Sequence, residues 1–213
     1  MFILTHTNTV ASHFVRELRD SNIQTDSMRF RRNMERIGEV LAYEISKTFP
    51  YATSDIRTPL AEMQVAEAES PVLATVLRAG LPLYQGFLNY FDKAESAFIG
   101  AYRSAHKADH SFDIAMEYLA APSLEGKQLI IIDPMLATGK SLVLAYQSLL
   151  SAGTPKSVHI AAAISSRAGA EYVQNAIPHA QLWLGAVDET LNDHYYIVPG
   201  LGDAGDLAFG SKL

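Results

Sequence analysis

The stretch LIIIDPMLATGKS, residues 129–141, takes four apolar residues to a carboxylate and then runs through small residues to two hydroxyls and a lysine. An acid at the end of a buried apolar run is poor core filler, because an unpaired buried charge is costly. Asp133 is therefore suited to accept hydrogen bonds from hydroxyls, or to reach a cation directly or through water. Thr138, Gly139 and Ser141 then open a helix, where unsatisfied amides and the helix dipole favour an anion. The letters ATGKS match the end of the nucleotide-binding pattern GxxxxGK[ST], but the position five residues before Gly139 is Pro134. Proline has no amide to donate and cannot take a glycine conformation, so this is not a loop wrapped around a nucleotide β-phosphate. The turn from Asp133 through Pro134, Met135, Leu136 and Ala137 to Lys140 fits a seat for one monophosphate.

Two further stretches carry chemistry. Arg78, Ala79 and Gly80 end another apolar run, PVLATVL, and place a forked cation beside open backbone, a match for diphosphate oxygens. YYIVPGLGDAGDLAFG, residues 195–210, has glycines at 200, 202, 205 and 210, which suggests backbone at positive φ or close to a ligand rather than regular helix or strand. Ile197 and Val198 beside exposed amides could hold a flat polar heterocycle by its edge, and Asp203 and Asp206 add two acids. His194, just before this stretch, reads as a turn residue.

These loops need a frame. The runs 71–77, 96–102, 129–132, 157–164 and 181–187 read as strands, and helical patterns over 81–91, 140–152 and 167–176 lie between them. Alternation of strand and helix predicts a parallel sheet with right-handed crossovers. Upstream, 12–20 predicts a helix with Ser12 as its cap, and Asp26 or Ser27 caps a longer one to about Lys47, striped by Met34, Ile37, Leu41 and Ile45. Its basic cluster, Arg29, Arg31 and Arg32, reads as a solvated face, with an inter-subunit or ligand contact as the alternative. Residues 50–70 read as a loop, 103–111 as a polar mobile segment with solvated His106 and His110, and 112–120 as one arm of a hairpin.

The chain has 213 residues, 48% of them hydrophobic, enough for one α/β domain with a sizeable core. It has no cysteine, which excludes thiolate nucleophiles, thiolate metal sites and disulfides. Seventeen basic against 23 acidic residues, net −6, with no basic aromatic-laced stripe, argue against nucleic acid as a partner. No apolar run approaches the ~18 residues of a membrane span, and the N-terminus has no basic leader region, so a cytoplasmic protein is expected.

LRAGL (77–81), DPMLATG (133–139) and YIVPGLGDAGD (196–206) together resemble the uracil phosphoribosyltransferase family, from the MRFRRNMERIG segment onward. The resemblance implies an α/β fold of the type I phosphoribosyltransferase kind: a parallel sheet core flanked by helices, with a small C-terminal hood and a β-arm. Residues 1–213 would form a single domain, its hood made mainly by the N-terminal segment and 188–213. The implied activity is transfer of ribose 5-phosphate from 5-phospho-α-D-ribose 1-diphosphate (PRPP) to N1 of uracil, giving UMP and diphosphate in pyrimidine salvage. By the same resemblance Asp133 holds the ribose hydroxyls, and the turn 134–141 holds the 5-phosphate on Ala137, Thr138, Gly139, Lys140 and Ser141. Arg78 and Arg103 meet the diphosphate, Asp203 lies near PRPP, and Ile197, Gly202, Asp203 and Ala204 read uracil through their backbone. Arg78, Arg103, Asp133 and Asp203 would thus carry the catalysis. Magnesium would ride on the diphosphate without a protein ligand set of its own. A dimer or higher homo-oligomer is implied, with GTP as a candidate effector. Two positions depart from the family pattern: Lys140 stands where a second glycine is common, and Leu207 where an arginine often follows the last GD. A rival expectation is a PRPP-binding regulatory or RNA-binding protein of the same fold.

Overall fold

Apolar runs without polar alternation must be covered on both faces, and in the computed structural model of the chain they lie side by side in one sheet. The structure describes residues 1–103 and 114–211, without the side chains of 101–103 and 114–117. A short strand β1 (Phe2–Ile3) leads to helices α1 (Ala11–Arg19) and α2 (Ser27–Ser46) and a hairpin, β2 (Tyr51–Arg57) and β3 (Glu62–Ala68). Then come β4 (Val72–Leu77), α3 (Leu81–Tyr90), β5 (Glu95–Arg103), β6 (Ile114–Ala120), β7 (Gln128–Ile132), β8 (Met135–Leu136) and α4 (Lys140–Leu149). The chain closes with β9 (Ser157–Ser166), α5 (Arg167–Ala176), β10 (Gln181–Asp188), β11 (Thr190–Leu191), β12 (Ile197–Val198) and α6 (Ala204–Phe209).

The main sheet runs β1-β10-β9-β7-β4-β5-β6, with β8 beside β9. Its pairings are parallel except the edge pair β5 and β6. All of β7 is buried, as a parallel strand between two layers of helices requires. From β4 the chain moves to β5 on one side; from β7 it moves to β9 on the other. Strand order therefore reverses between neighbours β4 and β7, and their carboxyl ends diverge into a crevice, the place where such sheets collect ligands.

Two apolar layers hold the sheet. On one face Phe30, Met34, Ile37, Leu41 and Ile45 of α2 pack with Leu83 and Phe87 of α3 over Leu73, Ile130 and Ile132. On the other, Leu142 and Leu149 of α4 and Val173 of α5 cover Leu129, Ile131 and Ile160. The helices α2 and α3 meet backbone to backbone: a Cβ on Gly86 would lie 2.0 Å from Glu35 O, and one on Gly38 2.3 Å from Leu83 O.

The α2 stripe and its Asp26 cap follow the sequence reading, with Asp26 Oδ1 accepting from Met28 N at 3.0 Å and Arg29 N at 3.1 Å. Other readings are corrected. Ser12 lies inside α1, which starts at Ala11. Residues read as a loop between 50 and 70 contain the β2–β3 hairpin, whose alternation is weak because almost every residue is exposed. The glycine-rich tail contains β12 and α6, since its glycines fall at the turns and leave short regular pieces between them. Arg31 is no solvated side chain: its Nη1 donates to Ala208 O at 2.6 Å. His106 and His110 lie outside the described residues. Among the described residues no helix is long and apolar enough to cross a membrane.

His159 is buried at 2% exposure on β9 and accepts from Trp183 Nε1 at 3.2 Å through Nδ1. Burial pushes its pKa down from 6.5 to about 4. The unfolded chain takes up this proton first, so the contribution to stability is complete above pH 6.5 and is lost as pH falls toward about 4. Denaturant unfolding between pH 7 and pH 4.5 should show a loss of roughly 2 kcal/mol from this group. His159→Gln, which keeps an acceptor for Trp183 but does not titrate, should lose correspondingly less over the same range.

Candidate active site

The loop after β7 owes its shape to the end of β9. Asp133 N donates to Ala161 O at 3.1 Å and Ile164 N donates to Pro134 O at 3.1 Å, so the chain runs on past β7 still attached to β9. Ser166 then takes over. Its Oγ donates to Ala137 O at 2.5 Å and accepts from Gly169 N at 2.8 Å, capping α5 in the same contact. The helix α5 approaches so closely that a Cβ on Gly169 would lie 2.2 Å from Ala137 O. A trans peptide points its carbonyl and the following amide in opposite directions. With the Ala137 carbonyl drawn toward α5, the Thr138 N–H on the same peptide is turned away from that helix, and Thr138 lines the cavity. Gly139 follows at φ 76°, against Val173, where a Cβ would lie 2.7 Å from Cγ2. This left-handed residue starts α4, whose first amides have no intrahelical acceptor.

The loop after β4 lies beside it. Thr75 Oγ1 donates to Ile132 O at 3.2 Å and ties the two strand ends together. Gly80 fits against this bond, since a Cβ there would lie 2.1 Å from Thr75 Oγ1. The Leu77–Arg78 peptide is cis. Arg78 is exposed, with Nη2 3.9 Å from Asp206 Oδ1 and 3.5 Å from Gly210 O.

The third wall comes from the C-terminal segment. Strands β11 and β12 form a small antiparallel hairpin whose turn is held by Asn192, with Oδ1 accepting from His194 N at 3.0 Å and Tyr196 N at 2.9 Å. His194 is thus the turn residue its position suggested. Gly202, at φ 89°, is exposed, and Asp203 caps α6 by accepting from Gly205 N at 2.8 Å and Asp206 N at 3.0 Å through Oδ1.

The three loops enclose a cavity of about 480 Å³. Asp133, the turn 134–139 and Ser141 form one side; Arg78, Ala79, Val76 and Leu77 form the second; Tyr195, Tyr196, Gly202, Asp203, Ala204 and Gly205 form the third. The arrangement offers an anion seat at the start of α4, a cation at the rim, and exposed backbone beside two tyrosines for a planar polar group.

Most residues to which the resemblance gave a role line this cavity; Lys140, Ile197 and Arg103 do not. Lys140, the first residue of α4, is exposed and does not line the cavity. Ile197 is 3% exposed in the apolar core, where its side chain anchors the hairpin. Arg103 ends β5, but its side chain is outside the described residues. Sequence reading did not single out Ser165 and Ser166, although two serines closing the apolar run SVHIAAAISS were a visible signal, nor Tyr195 and Tyr196 as wall residues. Among the described residues, no three histidine or acidic side chains are grouped as a metal site.

The uracil phosphoribosyltransferase family pattern matches residues 5–211. The chain is 51% identical over 208 residues to the uracil phosphoribosyltransferase of Porphyromonas gingivalis, spanning 97% of this chain and 96% of that one. It is 36% identical over 201 residues to the enzyme of that name from Thermococcus gammatolerans, spanning 92% and 88%. The solved structure of the AQ2163 protein from Aquifex aeolicus superimposes with a TM-score of 0.87 at 30% identity, over 98% of both chains. With its type I phosphoribosyltransferase fold and these matches, the chain belongs to the uracil phosphoribosyltransferase family.

Proposed function

We infer that the chain is an enzyme of pyrimidine salvage that transfers ribose 5-phosphate from PRPP to N1 of uracil, forming UMP and diphosphate. The observation that carries this reading is the meeting of three loops with distinct chemistry in one cavity at the strand-order reversal, in a chain of this family. The 5-phosphate sits at the start of α4 on the amides and hydroxyls of Ala137, Thr138, Gly139 and Ser141. Asp133 accepts from the ribose hydroxyls. Arg78 leaves Asp206 and Gly210 for the diphosphate, and Arg103 joins it there. Uracil lies along the third wall, read by the backbone at Gly202 and Ala204 and at the hairpin end by Ile197.

In the reaction the C1–O bond to diphosphate breaks as the bond from N1 to C1 forms, and N1 releases its proton. Positive charge grows on the ribose ring and negative charge on the leaving group. The side chains therefore act by positioning and charge stabilisation, with Arg78 and Arg103 at the leaving group and Asp133 on the ring. Magnesium accompanies PRPP. Asp133 and Asp203 line the cavity, where their carboxylates could meet an ion carried mainly by diphosphate and water. When bound, it neutralises charge on the departing diphosphate.

The same reading makes residues 1–213 a single cytoplasmic domain, with a hood built from the N-terminal segment and 188–213. The bond from Arg31 to Ala208 supports that hood. It also makes the chain a homodimer or higher homo-oligomer. The β2–β3 hairpin supports this, since a lone two-stranded hairpin is marginal in water and Tyr51, Ile56, Leu60 and Met63 are exposed on it. GTP as an effector rests on resemblance alone.

Incubation with PRPP and magnesium should yield UMP from uracil and far less product from cytosine, hypoxanthine or orotate; preference for another base would refute the assignment. Asp133→Asn should lower kcat/KM for PRPP about 10- to 100-fold, the loss of a charge-assisted hydrogen bond of about 1.5–3 kcal/mol. In isothermal titration Gly202→Val should weaken uracil binding far more than PRPP binding, and an equal loss of both would contradict a separate base loop.

A further inference from the structure

Asp188 ends β10 with its side chain 7% exposed, and no wall of the cavity includes it. Its partner Arg19, on α1, meets it by two parallel bonds of 2.8 Å, Nη1 to Oδ2 and Nη2 to Oδ1. Such a fork is directional, and it is joined to the base loop at one residue. Arg19 Nη1 also donates to Gly200 O at 3.1 Å, and Gly200 N donates to Asp188 Oδ2 at 2.9 Å. Both peptide planes flanking Gly200 are thereby fixed by one ion pair. Gly200 has φ 58° and no space for a side chain, since a Cβ would lie 2.0 Å from Ile197 O.

The next peptide is held in the same manner. Gln24, with its carboxamide nitrogen toward the two carbonyls, donates to Leu201 O at 2.7 Å and Leu18 O at 3.1 Å. Because a trans peptide opposes its carbonyl and amide, drawing the Leu201 carbonyl toward Gln24 turns the Gly202 N–H away from the α1 side. Gly202 is on the cavity wall. The N-terminal segment thus sets the direction of the amide that meets the base, at two successive peptides and without touching the cavity.

We propose that Arg19 and Asp188, assisted by Gln24, are positioning residues for base selection: their ion pair fixes the 200–202 backbone that reads uracil. The proposal rests on the uracil reading above. Its effect is confined to the base because the phosphate seat is built separately, from the ends of β7 and β9 and the start of α4. A lysine at 19 keeps the charge and cannot reproduce the fork.

The test measures kcat and both KM values, the uracil-to-cytosine rate ratio, and PRPP affinity by calorimetry for Arg19→Gln, Arg19→Lys, Asp188→Asn and Gln24→Ala. Arg19→Gln and Asp188→Asn should raise KM for uracil about 10- to 100-fold and lower the uracil-to-cytosine ratio, with PRPP affinity within about twofold of wild type. Arg19→Lys should recover only part of the loss. Gln24→Ala, which leaves the ion pair and the fold intact, should shift the same two quantities by a smaller factor, so the proposal remains testable if the Arg19 and Asp188 variants do not fold. KM values for uracil and PRPP rising together, or falling thermal stability with KM for uracil and base preference unchanged, would overturn the proposal while wild-type UMP synthesis stood. Failure of the wild-type chain to make UMP would overturn the enzyme reading and the proposal with it.

Discussion

A planar peptide shows its carbonyl to one side and the next amide to the other, and the proposed phosphate seat depends on this constraint. Ser166 and the close approach of α5 draw the Ala137 carbonyl toward that helix, so the Thr138 amide is turned away from it. Gly139 then turns the chain at positive φ into α4, adding the unsatisfied amides of a helix start. Without that anchorage a stretch of small residues after a strand would be a flexible turn. The anchorage is itself a product of parallel pairing, because β8 lies beside β9 only if the chain continues past β7 in register.

The same constraint operates on the opposite wall with different side chains. There an ion pair and a carboxamide from the N-terminal segment hold the carbonyls of Gly200 and Leu201, and glycine supplies the conformation. In both proposed binding loops the backbone is held by contacts from outside the cavity. Between them the reversal of strand order opens the crevice, and the bond from Thr75 to the Ile132 carbonyl keeps the two loop origins together. The result is rigid where charge must be met and open at the rim, where Arg78 rests on weak contacts with Asp206 and Gly210.

Much of this was legible in the sequence because the signals were local. Continuous apolar runs such as 129–132 gave buried strands, the α2 stripe gave its buried face, and the residues closing β4 and β7 together with the glycine-rich stretch 195–210 gave the three stretches that wall the cavity. What was not legible depended on distance in the chain. Ser166 and Gly169 matter through a contact with Ala137 about thirty positions away, and Arg19 through one with Asp188, 169 positions along the chain. Arg31 looked like surface charge because its acceptor, the Ala208 carbonyl, has no side-chain signature. The β2–β3 hairpin was hidden for the opposite reason: neither of its faces is buried within the chain, so it lacks the alternation that marks a half-buried strand.

The most direct measurement is a crystal structure of the protein with PRPP and magnesium. The 5-phosphate should lie against the amides from Thr138 to Ser141, with the ribose hydroxyls on Asp133 and the diphosphate at Arg78. A phosphate bound elsewhere while that seat held only solvent would contradict the account.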